Sequence, residues 1–227
     1  MAARMSMTEV DHKLVSDAVA KAETTTDGEI VTIVARRSDA YHDVGLHWAI
    51  LGVFLGLAAA AAMPVSFEHG YILLLGGWMH ELSLRLFLLL LLGQSLAIFL
   101  ALRYLLALPR LRMAVTPKAT RNRRVHRRAV ALFRASAEAR TVGRTGVLLY
   151  LSLDEKRAEI VADRAIAEKV DPTEWGDAMA EMLVEVRAGR IGAGMAKAVM
   201  HIGAVLARHL PPTGTNPNEL PDRLIEL

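Results

Sequence analysis

Two uncharged apolar stretches, residues 46–65 and 86–102, interrupt an otherwise polar chain whose flanks carry apolar positions at helix and strand spacing. Each approaches or reaches the ~20 residues that an α-helix needs to cross a ~30 Å hydrocarbon core. The second extends through Arg103 to Leu108 once that arginine snorkels to the interface, so spans are predicted at about 45–65 and 86–108. The apolar run 71–79 is too short for a third span and contains the Gly76–Gly77 pair, which fits an interfacial or re-entrant piece. Two spans return the chain to the side it left, so the flanks can meet in one domain.

Those flanks read as alternating helix and strand. Thr8 followed by Asp11 is a capping pattern, and Val10, Leu14, Ala18 and Ala22 recur every four residues, which predicts a first helix. Asp27–Gly28 breaks it, and residues 29–35 are apolar on both faces, as in an interior strand. After Pro117, residues 118–140 put Val125, Ala129, Leu132, Phe133 and Ser136 on one face and arginines on the other, a basic amphipathic helix beside the bilayer. Residues 146–153 and 158–162 flank the polar connection Asp154-Glu155-Lys156-Arg157, predicting a strand hairpin whose first strand is central. Asp171-Pro172-Thr173-Glu174 is read as a helix start capped by Asp171, with Glu174 closing the box; Trp175, Met179, Met182, Leu183 and Val186 follow at helical spacing. Gly189 ends that helix. After a break at Gly192 and Gly194, Met195, Val199, Ile202 and Leu206 mark a last helix stopped by Pro211–Pro212. The predicted class is α/β, a small sheet flanked by helices and interrupted by a two-helix transmembrane hairpin.

Charge orients this arrangement. Arg36 and Arg37 precede the first span, and Arg103, Arg110, Arg112, Lys118, Arg121, Arg123, Arg124, Arg127 and Arg128 follow the second. The intervening loop has Glu68 and Glu81 against Arg85 alone, so the positive-inside rule predicts a multi-pass plasma (inner) membrane protein with both termini cytoplasmic. A secretory signal is not expected, because Glu9, Asp11, Asp17, Glu23, Asp27 and Glu29 crowd the first forty residues. The expected organisation is a first part of the cytoplasmic domain at 1–40, the hairpin at 41–109, a second part with the basic helix at 110–210, and a tail at 211–227. The net charge of +3 therefore conceals a local, juxtamembrane positive field. With no cysteine, the chain has no disulfide, thiolate metal site or cysteine nucleophile.

Candidate chemistry is sparse. Asp39, Tyr41, His42 and Asp43 follow the first strand, and Asp154 and Asp163 flank the second strand of the hairpin. Asp39, Asp154 and Asp163 are the candidate catalytic carboxylates, and Asp39, Asp43 and Asp163 the candidate metal ligands; converging at strand ends, they would suit a hard divalent cation, calcium or magnesium. Turn and cap chemistry accounts fully for Asp154, Glu155 and Asp163, which favours that reading, and Asp39 to Asp43 equally suits a lead-in to the span. No HExxH, phosphate-binding glycine loop, GxSxG elbow, zinc cluster or dinucleotide fingerprint is present. The histidines form no ligand set, and Gln94 and Ser95 within the second span suit helix packing. The basic run serves topology and anionic lipid headgroups, with Arg110, Arg112, Lys118, Arg121, Arg124 and Arg128 as headgroup ligands. Nucleic acid is not an expected partner, since the run has no interleaved aromatics for base stacking.

The strings Thr26-Asp27-Gly28-Glu29-Ile30-Val31, Thr145-Gly146-Val147-Leu148-Leu149-Tyr150-Leu151-Ser152 and Arg157-Ala158-Glu159-Ile160-Val161-Ala162-Asp163 resemble the TPM domain, also called TPM-phosphatase or TLP18.3/Psb32/MOLO-1-like. The resemblance covers about 8–37 and 118–210, and the closing Asn218-Glu219-Leu220-Pro221-Asp222-Arg223-Leu224 is similar to that of a membrane-inserted subgroup. It implies a TPM-like α/β sandwich. The departure is the apolar hairpin after the first strand, where many members carry an exported domain and a separate anchor. Two functions follow: a membrane-anchored interaction or assembly module that binds a membrane protein complex, or, as the family label implies, a metal-dependent phosphatase-like hydrolase of phosphomonoesters.

Overall fold

The computed structural model describes residues 7–138, 145–213 and 220–227. It divides into two compact units, Met1–Asp39 with Lys118–Leu227, and Ala40–Pro117.

The first unit is built on a four-stranded sheet of order β3-β2-β1-β4, where β1 is Glu29–Ala35, β2 Gly146–Ser152, β3 Arg157–Ala162 and β4 Ile225–Glu226. β1 and β2 run parallel in full register from Glu29 opposite Gly146 to Ala35 opposite Ser152. β2 and β3 form the antiparallel hairpin expected of them, and β4 extends β1 in parallel. Every residue of β1 and β2 is buried, because helices cover both faces. Ile30, Val34, Val147, Leu149 and Leu151 point into a core with Val15, Val19, Met182, Met195 and Ile202, whereas Val31, Ile33, Leu148 and Tyr150 meet Val125, Ala129 and Phe133. Alternate side chains thus feed opposite layers, each full burial of a Val, Leu or Ile contributing about 1.5–3 kcal/mol.

α1 (Glu9–Glu23) starts where expected: the Thr8 side chain accepts from the Asp11 amide, and the Asp11 carboxylate accepts from the Thr8 amide. The basic helix, α6 (Lys118–Phe133), turns Val125, Ala129 and Phe133 inward and continues as a π-helical turn, Arg134–Glu138; residues 139–140 of the predicted helix lie outside the described residues. α7 (Arg164–Ala167) is one short turn after β3. α8 (Glu174–Arg187) begins three residues later than its expected cap. Asp171 instead accepts from the amide and hydroxyl of Thr173, an Asx turn, while Glu174 pairs with Arg208 and His209 at the end of the last helix. That last helix, α9 (Ile191–His209), begins one residue before Gly192 and takes both Gly192 and Gly194 into its first turn. These glycines do not break it; they let neighbours approach. A Cβ on Gly192 would lie 2.8 Å from Asp11 Cα, and one on Gly194 would lie 2.8 Å from the Met182 carbonyl oxygen.

The second unit holds two long apolar helices, α2 (His42–Ala62) and α4 (Leu84–Leu105), both long and apolar enough to cross a membrane. Between them, part of the expected re-entrant piece is a proper helix, α3 (Pro64–Leu74), opened by proline in its first turn and closed by Gly76 and Gly77 at positive φ. The Tyr71 hydroxyl donates to Gln94 Oε1 at 2.7 Å, and its ring meets Phe67 and Phe87 edge-on. Ser95 bonds back to the Leu91 carbonyl. Polar groups in the second apolar helix are therefore spent on packing. α5 (Pro109–Val115) completes this unit.

Candidate functional site

Because β1 and β2 are parallel, their carboxyl ends share one edge of the sheet, the edge where open α/β sheets characteristically bind ligands. The backbone ties that edge together: the Leu153 and Asp154 amides donate to the carbonyls of Ala35 and Arg36. Side chains finish the job. Buried Glu155 accepts from the Ser38 amide through Oε1 at 2.9 Å and from the Ser152 hydroxyl through Oε2. The Ser38 and Tyr150 hydroxyls are 3.0 Å apart. Burial, opposed first by the hydrogen bonds with Ser38 and Ser152, holds the Tyr150 phenol above its ordinary pKa.

Beside this network Asp39 faces α6. Its Oδ2 lies 2.9 Å from Arg124 Nη1 and 3.6 Å from Arg127 Nη2. Arg124, Arg127, Arg128 and Ala131 fall at helical spacing on one stripe of α6, and with Ser38 and Asp39 they line a cavity of about 330 Å³. Three guanidiniums and one carboxylate line it, a net positive set of charges that suits an anion.

The expected carboxylate cluster does not assemble. Asp154 shares the edge with Asp39 but pairs with Arg37 at 3.4 Å. Asp163 ends the antiparallel β3, and so sits at the opposite edge, where its carboxylate accepts from the Gly146 amide at 3.1 Å. Asp43 opens α2 in the other unit. Among the described residues, no group of three or more His, Asp or Glu side chains could hold a metal ion. Within the first unit, Asp39 and Asp163 therefore lie at opposite ends of the sheet and do not share a calcium or magnesium ion.

The headgroup candidates also divide. Arg110 is exposed at the start of α5, and Arg112 is buried, donating to His42 Nδ1 at 2.6 Å and to the Ala107 carbonyl. Lys118 and Arg128 are exposed on α6, Arg121 is half-buried there, and Arg124 is committed to Asp39. Ser38, Arg127, Tyr150, Ser152 and Glu155 were missing from the sequence-derived site. Glu155 reads as a turn residue, and only the parallel pairing of β1 with β2 makes it an anchor for Ser38.

A second polar cluster lies at the other end of β1. Glu23 at the end of α1 accepts from the Ile30 amide at 2.8 Å, and Glu29 accepts from the Leu220 amide. Burial, then the charges of Glu29 and Asp222, push the Glu23 carboxyl up to about 8. Leu220 and Asp222 belong to the closing stretch; its Asn218 and Glu219 lie outside the described residues.

Comparison with known proteins bears on the same elements. No curated protein matches the chain significantly. Among solved structures, the NMR structure of BA42 protein from the psychrophilic bacterium Bizionia argentinensis superposes with a TM-score of 0.56 at 15% sequence identity, covering 100% of this chain and 99% of that one. At that identity the likeness is one of fold. Residues 110–205 match the family model of the TPM domain (TPM_phosphatase), a range that takes in α6, β2, β3, α8 and most of α9 and leaves out α1 and β1. The similarity to the TPM domain therefore covers the arginine stripe and the β2–β3 hairpin of the candidate site, while Ser38 and Asp39 come from the segment before it.

Proposed function

We propose that this is an integral membrane protein of the membrane-inserted TPM subgroup, crossing the bilayer twice with both termini cytoplasmic, whose TPM-like domain is an anchored interaction and assembly module. One observation carries the reading. β1 precedes both apolar helices and β2 follows them, yet the two strands pair over their whole length in one sheet. A segment that leaves and re-enters the same domain crosses a bilayer an even number of times. α4 also has no buried residue, unlike the core helix of a soluble protein, and its apolar surface suits lipid. The excess of arginine after α4 supports the cytoplasmic side for the domain. Its partners are anionic lipid headgroups and a membrane protein complex, with no role for nucleic acid.

Binding is favoured over hydrolysis because the carboxylates are occupied as structural partners. Asp39 is paired with arginines, Asp154 with Arg37, and Asp163 holds the Gly146 amide. The hydrolase reading is supported by the arginines and the Ser38 hydroxyl around one cavity, which could stabilise a phosphoryl group, and by the name of the matching family. Turnover of a generic phosphomonoester by the detergent-purified chain, with and without magnesium or calcium, separates the two. The expected result is the same trace rate in the unmodified chain and in Asp39→Asn. Metal-dependent turnover that disappears in Asp39→Asn would establish the hydrolase instead.

A further inference from the structure

We propose that the cavity lined by Ser38, Asp39, Arg124, Arg127 and Arg128 is a phosphate-group site in which Asp39 occupies the position of the anion until a phosphate displaces it. The inference rests on reading the domain as a binding module and names the chemistry that it binds.

The cavity has the size and charge for such a group. At about 330 Å³ it stands at the low end of ligand pockets, enough for a phosphate or a small headgroup. Its three guanidiniums exceed its one carboxylate by two positive charges, which suits a dianion. Arg124, Arg127 and Arg128 come from adjacent turns of one helix, so their planar forks can approach different oxygens of one tetrahedral group. Ser38 also lines the cavity: Glu155 accepts from its amide and so fixes its backbone, and its hydroxyl lies 3.0 Å from that of Tyr150.

Asp39 gives the site its regulation. Its Oδ2 reaches Arg124 at hydrogen-bonding distance, whereas Arg127 stands at 3.6 Å and its side chain is 75% exposed. An entering phosphate can take Arg127 and Arg128 first and then compete with the carboxylate for Arg124. A carboxylate inside an anion site repels the ligand as well as holding the arginines, so its removal should strengthen binding. A metal-dependent phosphatase site predicts the opposite, since it would need Asp39 as an anion.

The test uses the full chain in two preparations. In detergent, inorganic phosphate is titrated calorimetrically into the unmodified chain, Arg128→Ala, Arg127→Ala and Asp39→Asn. In nanodiscs of phosphatidylcholine with or without phosphatidic acid, protection of the Arg127 and Arg128 side chains from arginine-directed modification is measured. Saturable phosphate binding is expected, weakened roughly five- to tenfold by either arginine substitution and tightened severalfold by Asp39→Asn, the scale of one charge-assisted contact. Arginine-dependent phosphate binding without phosphatidic acid protection assigns the site to free phosphate, and protection by phosphatidic acid assigns it to a lipid headgroup; both sustain the proposal. Absence of saturable binding in both preparations, or binding indifferent to Arg127 and Arg128, overturns it. Because Arg127 and Arg128 are exposed, their variants should melt with the unmodified chain, which keeps the test informative if Asp39→Asn is destabilised. Phosphate binding can fail while the phosphomonoester assay still shows no turnover, so this inference can fall without the anchored-module reading.

Discussion

Glu23 is the residue whose chemistry is most altered by the fold. Burial among the charges of Glu29 and Asp222 raises its carboxyl from 4.5 to about 8. The folded state then holds a proton that the unfolded chain gives up above its ordinary pKa, so unfolding releases that proton between about 4.5 and about 8. Stability conferred by the protonated form is present below this window and is lost as pH rises through it. Glu23→Gln keeps an oxygen to accept from the Ile30 amide and removes the titration. The thermal midpoint of Glu23→Gln should therefore rise relative to the unmodified chain as pH goes from 5 to 8.5, the gap being smallest at pH 5. Parallel midpoints across that range would show that Glu23 does not hold the extra proton. Its raised pKa was invisible in the sequence, where Glu23 is one polar residue at a helix end. What raises it is burial first, then the charge of Glu29 six residues on and that of Asp222, which the C-terminal segment brings from the far end of the chain.

At the scale of elements, close packing of α9 against its neighbours turns on small residues. A Cβ on Gly203 would lie 2.6 Å from Ala22 Cβ and 3.3 Å from Ala22 Cα, in the contact between α9 and α1. Gly203→Ala must push these helices apart and should destabilise the protein by about 1–3 kcal/mol, read as a lowered melting temperature. Gly176 in α8 has nothing within 4 Å of the same added atom. Gly176→Ala should raise stability by about 0.5–1 kcal/mol through helix propensity alone. If both substitutions moved stability the same way, the contact would not be the deciding factor. Periodicity had revealed the buried face of α9, with Met195, Val199, Ile202 and Leu206 inward, but read Gly192 and Gly194 as a break. A glycine in sequence looks alike whether it ends a helix or lets a neighbour touch it, and only the neighbour distinguishes the two.

For the whole molecule, the pairing of β1 with β2 and the two apolar helices between them lead to one topological expectation. Reporter fusions at Met1, Gly70 and Leu227 should report inside, outside and inside. An outside C-terminus would be incompatible with the proposed orientation, and different sides for Met1 and Leu227 would be incompatible with one sheet assembled from both flanks.

Local signals were legible in the chain itself. The Thr8–Asp11 capping box, the apolar character of β1 on both faces, the β2–β3 hairpin, the length of the two apolar helices and the inward stripe of α6 each depend on neighbours a few residues away, which sequence spacing records. The site depended on contacts that spacing does not record. Tertiary structure placed Asp39 and Asp154 at one edge of the sheet and Asp163 at the other, because β2 is parallel to β1 while β3 runs back. It buried Glu155 beneath Ser38 and set the arginines of α6 around Asp39. Parallel pairing between strands separated by the apolar hairpin goes with the packing of helices on both faces, and that packing, rather than any local motif, brought the residues of the cavity together.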